Sequence, residues 1–232
     1  MDFINPPNLL LDNKINTKQA MSYQHDWAKL IKSDDINKDI KTIAGIDIAY
    51  DNATNQAFAV AVLLDAHSLA LVEVQKISSE ITVPYRSGFL SFREVPILCK
   101  ALDQLSQKPD LIVCDGQGRA HPRRFGLACH LGLIYDIPTL GCGKSRLFGT
   151  ADYLGENRGD LSYLYDKNRE IIGAVLRTRD KVKPVYVSIG HRISLKTACD
   201  WVFKLAPKYR LPETTRLADS LAHTYKINNL LY

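Results

Sequence analysis

At 232 residues the chain is long enough for one large domain or two small ones with a sizeable core. Apolar residues at 46% and charged residues at 24% are ordinary for a globular protein and exclude a disordered or fibrous one. The net charge of +5 suits a nucleic-acid or phosphate partner without requiring one, and no apolar run approaches the roughly 20 residues of a membrane span.

Residues 1–16 read as an irregular lead-in, with Pro6, Pro7 and several asparagines. Their start lacks a basic n-region and a long apolar run, so no signal peptide is expected. Thr17 is placed to cap a helix running to about Ile31, with Ala20, Tyr23, Trp27 and Leu30 near one face. A polar connector, 34–41, leads to the first strong strand, Ile43 to Tyr50. There Ile46, Ile48 and Tyr50 turn to one side, and Gly45, Asp47 and Ala49 to the other. Strands at Ala57–Leu64 and Leu69–Ile77 follow after short polar connections and complete an antiparallel meander.

Pro84 to Leu90 reads as a loop in which Gly88 takes an unusual backbone angle. Ser91-Phe-Arg-Glu94 matches the S-x-x-E capping box of a helix running to Lys108. Leu111 to Asp115 is a buried strand between Pro109 and Gly116, and Phe125 to Tyr135 the next helix. Pro138 to Cys142 is a short strand ending in a Gly143-Lys144-Ser145 turn, and 150–168 is the least regular stretch. Strands at Ile171–Thr178 and Val185–Ile189 enclose basic residues. An amphipathic helix spans Ser194–Leu205, and Pro212 opens a last helix through Tyr225. Three strands followed by strands alternating with helices give an α/β fold with a mixed sheet. The five cysteines, at 99, 114, 129, 142 and 199, contain no C-x-x-C pair. They argue for a reducing compartment, and the protein is expected to be cytoplasmic.

The chemistry concentrates in 111–124. An acid at the carboxyl end of a buried strand, followed by Gly116, Gly118 and a run of Arg and His, marks where open α/β sheets bind ligands. The plainer reading is an Asp-Gly turn and a solvated basic helix start. Asp47 lies mid-strand between two isoleucines, where an ionised carboxylate is costly without a partner. If its strand neighbours that of Asp115, both acids lie on one side of the sheet, and a hard cation such as Mg²⁺ suits the pair. There is no H-E-x-x-H motif and no Cys/His cluster, so zinc is not expected. Glu94 has a structural use as a cap. Asp219 flanks the last helix, where most acids are solvated, and Lys144 in its turn is free to point at a phosphate or at solvent. His121 and His191 are candidates to donate to phosphate or to shuttle a proton.

With those residues in line the chain resembles the endonuclease V family, deoxyinosine-directed endonucleases of DNA repair. The matching segments are AGIDIAY (44–50), PYRSGFLSFREVP (84–96), DGQGRAHPRRFGLA (115–128), PTLGCGK (138–144), GHRISL (190–195) and LPETTRLAD (211–219). The resemblance implies a ribonuclease H-like fold, a mixed five-stranded core sheet flanked by helices. It implies a catalytic domain over 43–225, with an N-terminal segment and helix over 1–42 and a tail over 226–232. It implies that Asp47, Glu94, Asp115 and Asp219 surround a catalytic Mg²⁺ and that Lys144 stabilises charge on the phosphate. It makes Tyr85 a wedge beside the lesion, and Gly88, Leu90 and Gly116 the lining of a pocket for extruded hypoxanthine. Arg119 and His121 would hold the strand or the base. The implied reaction hydrolyses the second phosphodiester bond 3′ to the lesion, leaving 3′-hydroxyl and 5′-phosphate ends, and is carried out by a monomer. The family's Pro-Tyr-Ile-Pro is Pro-Tyr-Arg-Ser here, its His or Asn in D-G-x-G is Gln117, and Cys142-Gly143 replaces Val-Ala. Three alternatives stay open: inosine-containing RNA as substrate, a metal nuclease reading strand shape, and a non-cleaving nucleic-acid binder of the same fold.

Overall fold

The computed structural model describes residues 16–230, so the lead-in expected over 1–16 lies outside the described residues except at Asn16. Helix α1 (Thr17–Ala28) is capped by Asn16 rather than Thr17. The Asn16 side chain accepts from the Gln19 amide, while the Gln19 side chain accepts from the Asn16 amide. Asparagine in extended backbone ahead of a helix satisfies amides that have no partner within it. The helix stops at Ala28, short of the expected Ile31.

Strands β1 (Thr42–Asp51), β2 (Gln56–Asp65) and β3 (Leu71–Glu80) form the expected antiparallel meander. Helix α2 (Leu90–Asp103) departs from expectation at both ends: it starts a residue before Ser91 and stops short of Lys108. Its N-cap is Phe89, which makes no side-chain cap, and the Ser91–Glu94 capping box does not form. The reason is the preceding turn. Gly88 sits at φ 79° and the Phe89 amide donates to the Arg86 carbonyl, so the chain is already helical at Ser91, where a cap must not be.

Strand β4 (Leu111–Cys114), helix α3 (Leu127–Tyr135) and strand β5 (Thr139–Gly143) follow. The order β3-β2-β1-β4-β5 is the five-stranded mixed core, with β1, β4 and β5 parallel. It is not the whole sheet. Antiparallel β9 (Val185–His191), β8 (Ile171–Leu176), β7 (Leu161–Tyr165) and β6 (Thr150–Ala151) continue it to nine strands. Two of these, β6 and β7, lie in the stretch read as irregular. Leu161 to Tyr165 does alternate exposed and buried, but over only five residues between glycine- and aspartate-rich turns.

Helices α4 (Leu195–Leu205), capped by the Ser194 side chain, and α5 (Glu213–Leu230) complete the chain; α5 runs beyond the expected Tyr225. Two layers cover the sheet. Ala44, Ile46, Ile112 and Cys114 pack against α2 and α3, with Trp27 of α1 joining Phe92 and Phe125 outside them. Ile43, Leu111 and Val113 face α4, and Val60, Val62 and Leu64 face α5. Among the described residues no helix is long and apolar enough to cross a membrane.

Helix α5 lies so close to β1 that a Cβ at Gly45 would overlap the backbone of Thr214. Gly45→Ala must push away the helix that carries Asp219. Overpacking of this kind costs about 1–3 kcal/mol. The expected outcome is a thermal midpoint lower by roughly 3–10 °C, read by a melting curve.

Candidate active site

The parallel register of β1 and β4 sets Ile46 beside Cys114. The next residue of each strand is an acid, so Asp47 and Asp115 stand side by side, on the face covered by α5. Asp219 of α5 joins them: oxygens of Asp47, Asp115 and Asp219 all lie within 4.8 Å of one another. Glu94 approaches from α2 and is held differently, accepting the Tyr50 hydroxyl at 2.9 Å. Its carboxyl is thus committed to a tyrosine rather than to the Ser91 amide.

The electrostatics are those of crowded anions. Burial, then the charge of Asp115, pushes the Asp47 carboxyl up to about 7. Burial raises Glu94 to about 7 as well, with Asp47 and Asp115 adding to it against the Tyr50 hydrogen bond. The Lys144 ammonium sits among them, 2.6 Å from Asp115 and 2.9 Å from Asp219. Burial alone would lower its pKa, but the bonds to the two carboxylates outweigh that and hold it above the usual lysine value. Three hard oxygen donors with surplus negative charge, and no thiol or imidazole among them, fit a divalent cation of the magnesium or calcium type.

A cleft of about 270 Å³ opens beside the acids, lined by Gly88, Leu90, Ser91, Gly116, Gln117 and Leu127, with Asp115 and Lys144 at one end. Tyr85 stands on its rim, 66% exposed. Ser91 Oγ and Gln117 Oε1 are buried in its wall without a protein hydrogen-bond partner. Gln117 Nε2 donates to the Ser145 carbonyl, tying the cleft wall to the Lys144 turn.

The Gly88 wall is pinned by three donors on one carbonyl. Gln24 Nε2 lies 3.0 Å from it, His121 Nε2 3.1 Å and Arg123 Nη2 2.6 Å. This corrects the proton-shuttle reading of His121. Its Nδ1 accepts the Arg123 amide while Nε2 donates to Gly88, and burial with the neighbouring Arg123 charge lowers its pKa to about 4. It is a neutral brace. His191 is far from the acids in the sheet, buried near α3 with Nε2 on Asp136 and Nδ1 accepting the Lys32 amide. Arg119 turns to Glu170 at 3.5 Å and does not line the cleft, and Arg86 donates to the Thr17 hydroxyl. Gln24 was missed in the sequence. Its signal was a polar residue on the buried arc of α1, between Ala20 and Trp27.

A sheet of this order with helices on both faces, and carboxylates midway along β1 and just past β4, defines a nuclease of the ribonuclease H-like fold. The family model described as Endonuclease V matches residues 25–220. The endonuclease V of Trichormus variabilis is 45% identical over 209 residues, 90% of this chain and 94% of its own. The solved endonuclease V of Streptomyces avermitilis superposes with a TM-score of 0.89 at 39% identity, covering 95% of this chain and 97% of that one. A Ciona intestinalis endonuclease V solved with inosine-containing DNA has a TM-score of 0.78 at 24% identity, covering 90% and 96%. The chain belongs to the endonuclease V family, and it is a metal-dependent nuclease.

Proposed function

We propose that the protein cuts DNA at deoxyinosine, using Mg²⁺ held by Asp47, Asp115 and Asp219 with Glu94 behind them, at the second phosphodiester bond 3′ to the lesion. The observation that carries this is the meeting of the three aspartates at the end of a base-sized cleft. When bound, the metal supplies an activated water and charge stabilisation at the leaving oxygen. The chain's own groups do the rest. Lys144 offers a cation to the phosphate once Asp115 and Asp219 turn to the metal. Gly88, Leu90 and Gly116 wall an extruded base, and the orphan Ser91 and Gln117 oxygens are suited to a base edge carrying both N–H and C=O. A wall built for hypoxanthine rejects adenine because the adenine amino group leaves buried acceptors and donors mispaired. All five thiols are free, which suits a reducing cytoplasm.

The test is nicking of matched oligonucleotides carrying one inosine or one adenosine, as DNA and as RNA, with Mg²⁺ or EDTA. Cutting only at inosine and only with metal is expected; equal cutting of both bases removes the lesion-specific reading. Tyr85→Ala is expected to lower inosine-over-adenosine discrimination by roughly tenfold to a hundredfold, the range of one lost base–aromatic stack. Binding of undamaged duplex should change much less.

A further inference from the structure

Residues 177–184 join β8 to β9 at the same end of the sheet as the acids. Leu176 pairs with Val185, and Tyr186 pairs with Gly143, next to Lys144. From Arg177 to Lys183 the sequence carries four cations and one acid. Guanidinium groups hold the loop from inside. Arg177 donates to the carbonyls of Gly155 and Val182, Arg158 to that of Thr178, and Arg210 to those of Pro184 and Lys144. The Lys181 amide donates to the Glu156 carbonyl at 2.8 Å, and Lys181 itself sits at φ 58°, a conformation side chains disfavour. A loop this fully bonded has a specified shape. Its one acid, Asp180, accepts the Arg158 amide. Arg179, Lys181 and Lys183 are exposed, and none of the three is in an ion pair among the described residues.

The placement gives these cations a direction. Arg158 also reaches the carbonyls of Phe203 and Ala206 at the end of α4, so the loop belongs to the α4/α5 face of the sheet. The cleft belongs to the α2/α3 face, through Leu90, Ser91 and Leu127. The aspartates stand on the side of the sheet covered by α5, which is the loop's side. A strand with its base in the cleft and its scissile phosphate at the aspartates therefore leaves over the loop.

We propose that Arg179, Lys181 and Lys183 form a phosphate-tracking ridge for the nucleic acid beyond the scissile bond, on the flank away from the extruded base. This rests on the deoxyinosine reading above, under which that flank is the 3′ side. Each phosphate neutralised on duplex DNA releases counterions, and the slope of log affinity against log salt changes by about 0.9 per contact.

The experiment compares wild type with the triple variant R179A/K181A/K183A, binding an inosine duplex in EDTA across a salt series. The expected result is a slope shallower by about 2–3 for the triple variant. With the 3′ flank trimmed close to the cleavage site, wild type and variant should bind alike; with the 5′ flank trimmed, the difference should persist. An unchanged slope on the long duplex overturns the proposal, and so does a difference that disappears on trimming the 5′ side instead. The charge-keeping variant R179K/K181R/K183R, with a melting curve for each protein, separates charge from folding. It should restore the wild-type slope, and failure to do so while folded also overturns the ridge. Cutting of the same duplexes by wild type with Mg²⁺ tests the deoxyinosine reading separately.

Discussion

Asp115→Ala and Asp47→Ala each reduce strand cutting by roughly 10³-fold or more while binding of inosine-containing duplex stays within a few-fold of wild type. The two halves of that expectation have different physical origins. Cutting falls because each substitution removes one of three oxygens that lie within 4.8 Å of one another, and a two-carboxylate site no longer holds a divalent ion in place. Binding survives because the cleft wall is built elsewhere, from the Gly88 turn and the N-terminus of α2, and because removing a carboxylate lessens repulsion toward phosphate. Single-turnover cleavage and equilibrium binding in EDTA, measured on one duplex, separate the two. Cutting within tenfold of wild type by either variant would show that the cluster is not the metal site.

That pair of acids was legible in the sequence because strand chemistry is simple. A carboxylate between isoleucines, with small Gly45 and Ala49 on its own face, has few structural uses. A second acid ending a strand of four apolar residues has few as well. Their meeting needed only the parallel pairing of β1 with β4, which the structure has. Glu94 was ambiguous for a physical reason: one carboxylate was suited both to a cap and to a cation, and the local spacing favoured the cap. What displaced the cap was a long-range partner, Tyr50, which no local pattern could supply. The brace on Gly88 was hidden in the same way, since Gln24 and Gly88 are 64 residues apart and meet only because Trp27 docks α1 onto Phe92 and Phe125. The β6–β7 edge went unread because short strands among turn residues carry little periodic signal. That His121 braces Gly88 in the cleft wall as a neutral imidazole was not legible, because its motif says nothing about burial, and burial holds down its pKa.

Asp47→Asn should stabilise the metal-free protein at neutral and higher pH while reducing cutting as severely as the alanine variant. The folded carboxyl titrates near 7, well above the roughly 3.9 of an unfolded aspartate. Between those values the folded state holds a proton that the unfolded chain has lost, so stability falls as pH rises from about 4 to about 7 and levels off above. Each unit of such a shift corresponds to about 1.4 kcal/mol. With the opposing effects of Asp115 and Lys144 already within that shift, the difference approaches about 4 kcal/mol, or roughly 8–16 °C in melting temperature for a chain of this size. At pH 5 the wild-type carboxyl is protonated and nearly isosteric with asparagine, so the two proteins should melt together. At pH 8 in EDTA the variant should melt higher, and part of the gap comes through Glu94, whose carboxyl the Asp47 charge also pushes up. Mg²⁺ should then close the gap from the wild-type side alone, because a ligand stabilises only the state that binds it. A wild type that melts above Asp47→Asn at pH 8 without metal would mean that the aspartate is already satisfied by Lys144, and that the site has no surplus charge to offer a cation.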